Sequence, residues 1–333
     1  MTAFAQRLGS MRKSAVSTGG SIPVVLFLIA AAVFLVIGSL TSDIFAQQTV
    51  AGLAQGAIFG SLALALVLIY RATEVINFAQ GELAMATTYI AYQLTLWGLS
   101  YWLAFFLTLP IAFLLGMAIQ VVLIRPVQHS IIAVVIITVG LFILIDGIVT
   151  WVWGADLKFM KAPFGNTVYH AGGVAFSRQD IGVLAVSILS VIVLWFLFQF
   201  TKIGLAMRAA ALRPAAAALV GVRVNWMLAI GWGLASVLGA VAGLMTEPTQ
   251  FLQPTMMQAI LLYAFAAAVL GGLESPAGAV IGGLSLGVFL NLIGQYIGFA
   301  TPELRLPIAF LVLLFVLLVK PTGLFGRKQV RRV

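Results

Sequence analysis

A carboxylate set in an apolar stretch is the most distinctive chemical feature of the sequence. Glu82 lies between Glu74 and Tyr92, where amide and hydroxyl side chains interrupt a run of apolar residues. In apolar surroundings a carboxylate is protonated, paired with a hydrogen-bond donor, or hydrated. The residues that could line a polar route or a gate here are Asn77, Phe78, Gln80, Glu82, Met85 and Tyr89. The alternative interpretation is that Glu82 only fastens two helices together.

The spacing of these residues predicts a shared helical face. Side chains three and four residues apart lie on the same side of a helix. The residues that share this face are Phe78, Glu82, Met85 and Tyr89. A helix beginning near Ala72 at the inner surface of a bilayer would carry Glu82 roughly 15 Å inward, near the middle of a ~30 Å apolar core.

The sequence lacks the residues that disulfides, metal sites, hydrolase active sites and nucleotide-binding loops require. The absence of cysteine excludes disulfides, thiolate metal sites and cysteine nucleophiles. The two histidines, His129 and His170, fall in predicted loops on opposite sides of a membrane and do not readily build a metal site or a hydrolase dyad. No G-x-x-x-x-G-K-[ST] phosphate loop is present. We therefore expect no catalytic residue, metal or cofactor in this chain, and any ATP and Mg²⁺ to bind a separate ATPase chain.

The elements that position Glu82 are predicted to be membrane-spanning helices. The sequence is 62% hydrophobic and 8% charged, whereas soluble domains are about half apolar and about a quarter charged. Continuous apolar runs of about 20 residues favour helices over barrel strands. The sequence thus predicts an all-α polytopic membrane protein with about ten spans, at residues 22–41, 49–70, 73–94, 101–124, 131–153, 181–201, 225–246, 256–273, 277–298 and 304–320.

The distribution of basic residues predicts the orientation. Of the 18 lysines and arginines, this topology leaves four on the outer side, namely Lys158, Lys161, Arg178 and Arg305. Basic residues accumulate in cytoplasmic loops, so both termini are expected in the cytoplasm, and the net charge of +9 needs no nucleic-acid partner. The predicted regions are a cytoplasmic tail at 1–21, a transmembrane domain at 22–320 that includes the inner loop 202–223, and a basic cytoplasmic tail at 321–333.

Two connections are long enough to fold. The inner loop 202–223 is basic and rich in alanine, the best helix former. Pro214 suits a first helical position and Gly221 a left-handed stop, which predicts a short cytoplasmic helix from about Pro214 to Val220. The outer connection 154–179 is expected to be either an ordered cap or hairpin, or a solvated loop.

Glycines at four-residue intervals predict close helix packing. The candidate packing residues are Gly271, Gly272, Gly278 and Gly282, and a direct role in binding a solute is the weaker alternative. The order of the spans is also compatible with an inverted repeat. The group of four spans before 154–179 would begin on the outer side of the membrane, and the group of the last four spans would begin on the inner side.

Four segments together resemble the branched-chain amino acid ABC transporter permeases. They are Val75-Ile76-Asn77-Phe78-Ala79-Gln80-Gly81-Glu82-Leu83-Ala84-Met85, Gly204-Leu205-Ala206-Met207-Arg208-Ala209, Gly271-Gly272-Leu273-Glu274-Ser275-Pro276-Ala277-Gly278-Ala279, and Lys320-Pro321-Thr322-Gly323-Leu324-Phe325-Gly326. The resemblance covers nearly the whole chain, and the first segment is most similar to the LivH-type subunit. Two departures are that Arg213-Pro214-Ala215-Ala216 has no acid where relatives often have one, and that Ala86-Thr87-Thr88-Tyr89 lacks a glycine common in relatives.

The resemblance implies a bacterial inner-membrane subunit of an ATP-driven importer. Its implied partners are two cytoplasmic ATPase subunits, an external solute-binding protein, and a second permease that is either LivM-like or another copy of this chain. The implied residues of the element that couples to the ATPase are Gly204, Arg208, Arg213, Pro214 and Gly221. The implied solute is a branched-chain amino acid, or urea, a short amide or a small organic acid. A stand-alone secondary transporter or channel is the competing hypothesis, and a purely structural membrane subunit is a weaker one.

Overall fold

The computed structural model describes Gly38 and residues 42–165, 167–171, 174–298 and 301–326, and this part of the chain is almost entirely helical. Its α-helices are α1 (Asp43–Thr73), α2 (Gln80–Leu96), α3 (Tyr101–Ile119), α4 (Ile131–Trp153), α5 (Arg178–Phe200), α6 (Lys202–Leu212), α7 (Pro214–Leu219), α8 (Val224–Gln250), α9 (Gln258–Gly271), α10 (Pro276–Tyr296) and α11 (Arg305–Val319). A π-helical turn (Gln120–Ile124) and a 3₁₀ turn (Arg125–Val127) extend α3, and a 3₁₀ turn (Pro302–Leu304) precedes α11.

The all-α polytopic architecture is confirmed. Seven of the described helices, with their 3₁₀ and π extensions, are long and apolar enough to cross a membrane, and α2 and α9 are shorter. Nine of the ten predicted spans coincide with described helices, and α4 has the predicted bounds 131–153. The first predicted span, 22–41, and the predicted tail 1–21 lie outside the described residues, except for Gly38.

Two long helices form the centre of the bundle. Helices α1 and α8 are buried along most of their length, whereas α4, α5 and α11 are largely exposed. The backbones of α1 and α10 approach closely where Gly56 lies against Gly283 and Gly287, as small residues permit in a membrane interior. Beside this contact the Asn291 amide donates a hydrogen bond to Gln55 Oε1 at 2.7 Å.

The contacts between helices pair in the manner that an internal repeat of two halves requires, whether parallel or inverted. In such a repeat α1 corresponds to α8, α2 to α9, α3 to α10 and α4 to α11. The contact between α1 and α9 then corresponds to the contact between α8 and α2, and both contacts are present. Likewise, the contact between α1 and α10 corresponds to the contact between α8 and α3, and both contacts are present. The repeat remains a hypothesis that superposition of the two halves would test.

The inner connection folds into two short helices. The hydroxyl of Thr201 accepts a hydrogen bond from the Gly204 amide and caps α6. Helix α7 begins at Pro214, as the sequence predicts, and ends one residue before the predicted Val220. Gly221 follows with a φ of 86°, the left-handed conformation that favours glycine after a helix.

The outer connection is an ordered cap that contains a hairpin. Strand β1 (Val168–Ala171) pairs antiparallel with β2 (Val174–Ser177), so that Tyr169 lies opposite Phe176. The buried carboxylate of Glu247 accepts a hydrogen bond from the Met160 amide at 2.7 Å, and this bond holds the cap to the outer end of α8. Of the two alternatives left open by the sequence, the structure has the hairpin.

Candidate functional site

The segment that carries Glu82 is a broken helix. Helix α1 ends at Thr73, and Glu74 adopts a left-handed conformation with φ of 55°. The chain becomes helical again only at Gln80, so the expectation of a helix beginning near Ala72 is wrong. The physical reason is local, because a residue in the left-handed region ends an α-helix.

Two amide side chains hold this break in place. Asn77 Oδ1 accepts a hydrogen bond from the Ala79 amide at 3.1 Å, and Asn77 Nδ2 donates to Gln80 Oε1 at 3.1 Å. Gln80 Nε2 in turn donates to the carbonyl of Ala235 on α8 at 2.9 Å. Both amide side chains are fully buried. They form hydrogen bonds with each other and with backbone groups, some of which the break would otherwise leave unpaired in an apolar interior.

The break brings the start of α2 to the middle depth of the bundle. Ala235 lies eleven residues after Val224, where α8 begins, which is about 17 Å along the helix axis. The apolar core of a bilayer is ~30 Å thick. Glu82, in the first turn of α2, therefore reaches the predicted depth by a different route, through an extended segment and not through a continuous helix.

A second helix begins beside the first turn of α2. Helix α9 starts at Gln258, and the carbonyl of Met257 lies 3.3 Å from the position that a Cβ on Gly81 would occupy. Helix N-termini carry partial positive charge. The Glu82 carboxylate thus lies in the first turn of one helix and close to the N-terminus of another, and both helix termini offset part of the cost of burying a negative charge.

The Glu82 carboxylate has no regular hydrogen bond within the described part of the chain. Both of its oxygens are buried. The Gln258 amide lies beside the carboxylate without regular hydrogen-bond geometry, and Asp146 on α4 is close enough for the two acidic groups to interact. Asp146 Oδ1 is likewise buried without a partner among the described residues. Two carboxylic groups and an amide thus share one interior region.

The predicted shared face holds for three of its four residues. Met85 and Tyr89 lie fully buried on α2 with Glu82, and the Tyr89 ring packs 5.4 Å from that of Trp153 on α4. The Tyr89 hydroxyl has no hydrogen-bond partner among the residues described. Phe78 is a correction, since it precedes α2 in the break and its side chain is 42% exposed.

Three residues of these regions, Asp146, Gln258 and Glu247, were not predicted from the sequence. A signal was present for Asp146, because it is an ionisable residue in the middle of the predicted span 131–153, and such residues in spans are expensive and usually functional. Gln258 had no such signal, since its proximity to Glu82 arises only from the fold.

The inner helices place the predicted coupling residues in two settings. Gly204 is buried, and a Cβ there would collide with the carbonyls of Leu197 and Phe198. Arg208 Nη1 donates to Gln199 Oε1 at 3.2 Å, so its guanidinium turns towards α5. Arg213, Pro214 and Gly221 are exposed at the ends of α7.

The four candidate packing glycines lie where backbones touch. A Cβ on Gly271 would collide with the carbonyl of Gly278, and one on Gly282 with the carbonyl of Ala267. Gly272 has a φ of 103° and lies against Gly326. The segment after α11 is packed here, since the amides of Leu324 and Phe325 donate to the carbonyls of Leu270 and Gly271.

Comparison with known proteins gives a consistent family. The model of the family described as "Branched-chain amino acid transport system / permease component" matches residues 48–317. The high-affinity branched-chain amino acid permease protein LivH of Salmonella typhimurium is 30% identical over 304 residues, covering 87% of this chain and 98% of the relative.

Two further proteins are also similar. The probable branched-chain amino acid permease protein LivH of Methanocaldococcus jannaschii is 32% identical, covering 80% of this chain and 87% of the relative. Among solved structures, PsaBC from Streptococcus pneumoniae in complex with Fab is similar with a TM-score of 0.47 and 15% identity, covering 87% of this chain and 97% of that chain.

Proposed function

Because this chain belongs to the family of branched-chain amino acid transport permeases, we propose that it is the membrane-spanning subunit of an ATP-driven importer of branched-chain amino acids or a related small solute. An external binding protein would deliver the solute to the outer surface. The chain itself would provide the route and the coupling element, and a separate ATPase would hydrolyse ATP.

The observation that carries the proposal is an exposed apolar surface on the inner helices. The side chains of Leu212, Leu219 and Val220, at the ends of α6 and α7, are 72%, 89% and 79% exposed. Contiguous exposed apolar side chains mark interaction sites. A solitary carrier needs no such surface on an inner loop, whereas a permease driven by a separate ATPase requires a docking element. Arg213 lies between these helices and adds a basic group to the surface.

The proposed route passes the interior region around Glu82. An amino acid brings an ammonium group, which a carboxylate attracts, and a branched apolar side chain. Acidic groups are supplied by Glu82 and Asp146, and flexible apolar contacts by Met85 and Met257, which are buried. Methionine adapts to irregular apolar shapes. Since Glu82 is fully buried, solute would reach it only after α2 and α9 separate, as alternating access requires.

A second permease subunit would pack against α4. This helix carries Asp146, yet most of its surface is exposed in the single chain. Ionisable residues in spans usually face the bundle interior or a water-filled cavity. A LivM-like subunit, or a second copy of this chain, against α4 would enclose Asp146 at the subunit boundary. The orientation with both termini in the cytoplasm is part of the same proposal, and it places the hairpin cap outside, where the binding protein would dock.

Purification of the tagged chain from its native membrane in mild detergent tests this function. We expect mass spectrometry to find an ATPase and a second permease, and the complex to hydrolyse ATP. Recovery of the chain alone, without nucleotide-dependent activity, would favour a secondary transporter or channel. Uptake of labelled leucine, urea and a short amide into vesicles with the complete system would then identify the solute class.

A further inference from the structure

An apolar cavity lies between helices of this chain, apart from the region around Glu82. It has a volume of about 500 Å³ and is bounded by α1, α5, α8 and α10, with α6 closing one end. Its apolar lining includes Leu68, Val191, Trp195, Phe198 and Val280. Cavities of this size accommodate sizeable ligands, and this lining selects for a largely hydrocarbon one.

Two guanidinium groups line the same cavity. Arg71 is in the last turn of α1, and Arg208 is on α6. Arg208 donates to Gln199, but its Nε is buried without a hydrogen-bond partner in the described part of the chain. Glu274 is near enough to act on Arg71, as is Arg208, so two positive groups and one negative group meet there. The local charge favours an anionic ligand.

We propose that this cavity binds an anionic phospholipid of the leaflet in which Arg71 and Arg208 lie. The phosphate would pair with the two guanidiniums, and an acyl chain would occupy the apolar lining. The combination of a basic end and an apolar interior between spans is the chemistry of lipid-headgroup sites. Trp195, which lines the cavity, is 58% exposed on the side of α5 that faces away from the bundle. The cavity therefore borders the bilayer, and a lipid could enter it laterally from the membrane.

The site would connect lipid composition to coupling. Arg208 belongs to α6, which leads into the exposed apolar surface of α7, and Arg71 belongs to the central helix α1. A phosphate held by both would fasten the inner helices to the bundle. This consequence for coupling rests on the proposed function, whereas binding of the lipid rests only on the cavity.

Native mass spectrometry of the complete complex, released from nanodiscs of equal phosphatidylglycerol and phosphatidylcholine, tests the proposal. We expect the wild-type complex to retain phosphatidylglycerol selectively. Arg71→Gln should weaken this retention about tenfold, since a hydrogen bond to a charged group is lost. Arg223→Gln is the matched control, because Arg223 is exposed on the same side and does not line the cavity.

A second pair of variants tests the apolar part. Val191→Phe should fill the cavity and reduce retention, whereas Val193→Phe, two residues along α5 on an exposed position outside the lining, should not. Equal retention by Arg71→Gln and the wild type, or equal retention of phosphatidylcholine, would overturn the proposal. The absence of any retained lipid would also overturn the proposal, and this is the result expected if another segment of the chain fills the cavity. Because the measurement is of bound lipid, a failure of transport would not imitate any of these results.

Discussion

Glu82 occupies a position where a carboxylate is costly to keep. Its two oxygens are buried and have no hydrogen-bond partner among the described residues, and another acidic residue, Asp146, is near. Helix N-termini on α2 and α9 offset part of this cost. A residue kept for packing alone would be better as an amide, which removes the buried charge. Under the proposed function, this carboxyl group would be kept for its interaction with the solute.

Glu82→Gln tests that argument by separating stability from transport. The amide keeps the shape and removes the charge, so the melting temperature of the purified protein should be unchanged or higher. Uptake should fall about tenfold, since an interaction between a charged group and solute is lost. The matched control is Leu83→Met, a volume-conserving change at a buried position on another face of α2, which should leave both nearly unchanged. Normal uptake and stability in Glu82→Gln would assign Glu82 to packing.

At the scale of elements, hydropathy predicted most of the helices, and local capping signals predicted α7. The bounds of α4 follow from Ser130, whose hydroxyl caps it, and from Gly154, which ends it. Pro214 and Gly221 mark α7 in the same way. Such signals are local, so they can be read without knowing the fold.

The break before α2 was not predictable by the same means. Residues 74–79 are apolar enough to continue a span, and nothing in their composition marks Glu74 as left-handed. A hydrogen bond from the amide of Gln80 to a carbonyl on α8, 155 residues away in the chain, holds the broken conformation in place. Long-range contacts of this kind also explain why the proximity of Gln258 to Glu82 was missed.

The contact between α1 and α10 gives a prediction about packing. A Cβ on Gly283 would collide with the backbone of Gly60, so Gly283→Ala should destabilise the protein by about 1–3 kcal/mol. Gly140→Ala on α4 is the control, since nothing lies within 4 Å of its Cβ and alanine is the better helix former by about 0.5–1 kcal/mol. Thermal unfolding in detergent should give opposite signs for the two variants. Equal stability of both would show that the helices are not in close contact.

The outer cap gives a second prediction for an element. Glu247→Ala removes the acceptor of the Met160 amide, so hydrogen exchange of that amide should accelerate by about tenfold or more. Glu303→Ala removes an exposed carboxylate on the same side of the bundle and should not change it. Exchange at the wild-type rate in Glu247→Ala would mean that other contacts order the cap.

At the scale of the whole molecule, packed helices connect the starts of α2 and α9 with the inner helices α6 and α7. Helices α2 and α9 begin side by side at middle depth. Helix α2 contacts both central helices, α1 and α8, and α9 contacts α1. Helix α6 contacts both α8 and α1. Under the proposed function, a displacement of α6 and α7 would be transmitted through these packed helices to the region around Glu82.

Leu219→Glu tests whether that force enters through α7. The side chain of Leu219 is 89% exposed, so a charge there should leave folding and the amount of protein in the membrane unchanged, with a stability change within ~0.5 kcal/mol. A charge placed in an apolar interface is desolvated without a partner, so the ATPase should no longer co-purify and uptake should be lost.

The control at the same position is Leu219→Met, which keeps an apolar side chain of similar volume and should retain both the ATPase and uptake. If Leu219→Glu loses both the ATPase and uptake while Leu219→Met keeps both, the docking surface lies on α7. If Leu219→Glu instead retained the ATPase and transported normally, the exposed apolar residues of the inner helices would have another partner. The coupling force would then have to enter the bundle elsewhere, and α6, which remains packed on α8, would be the next helix to test.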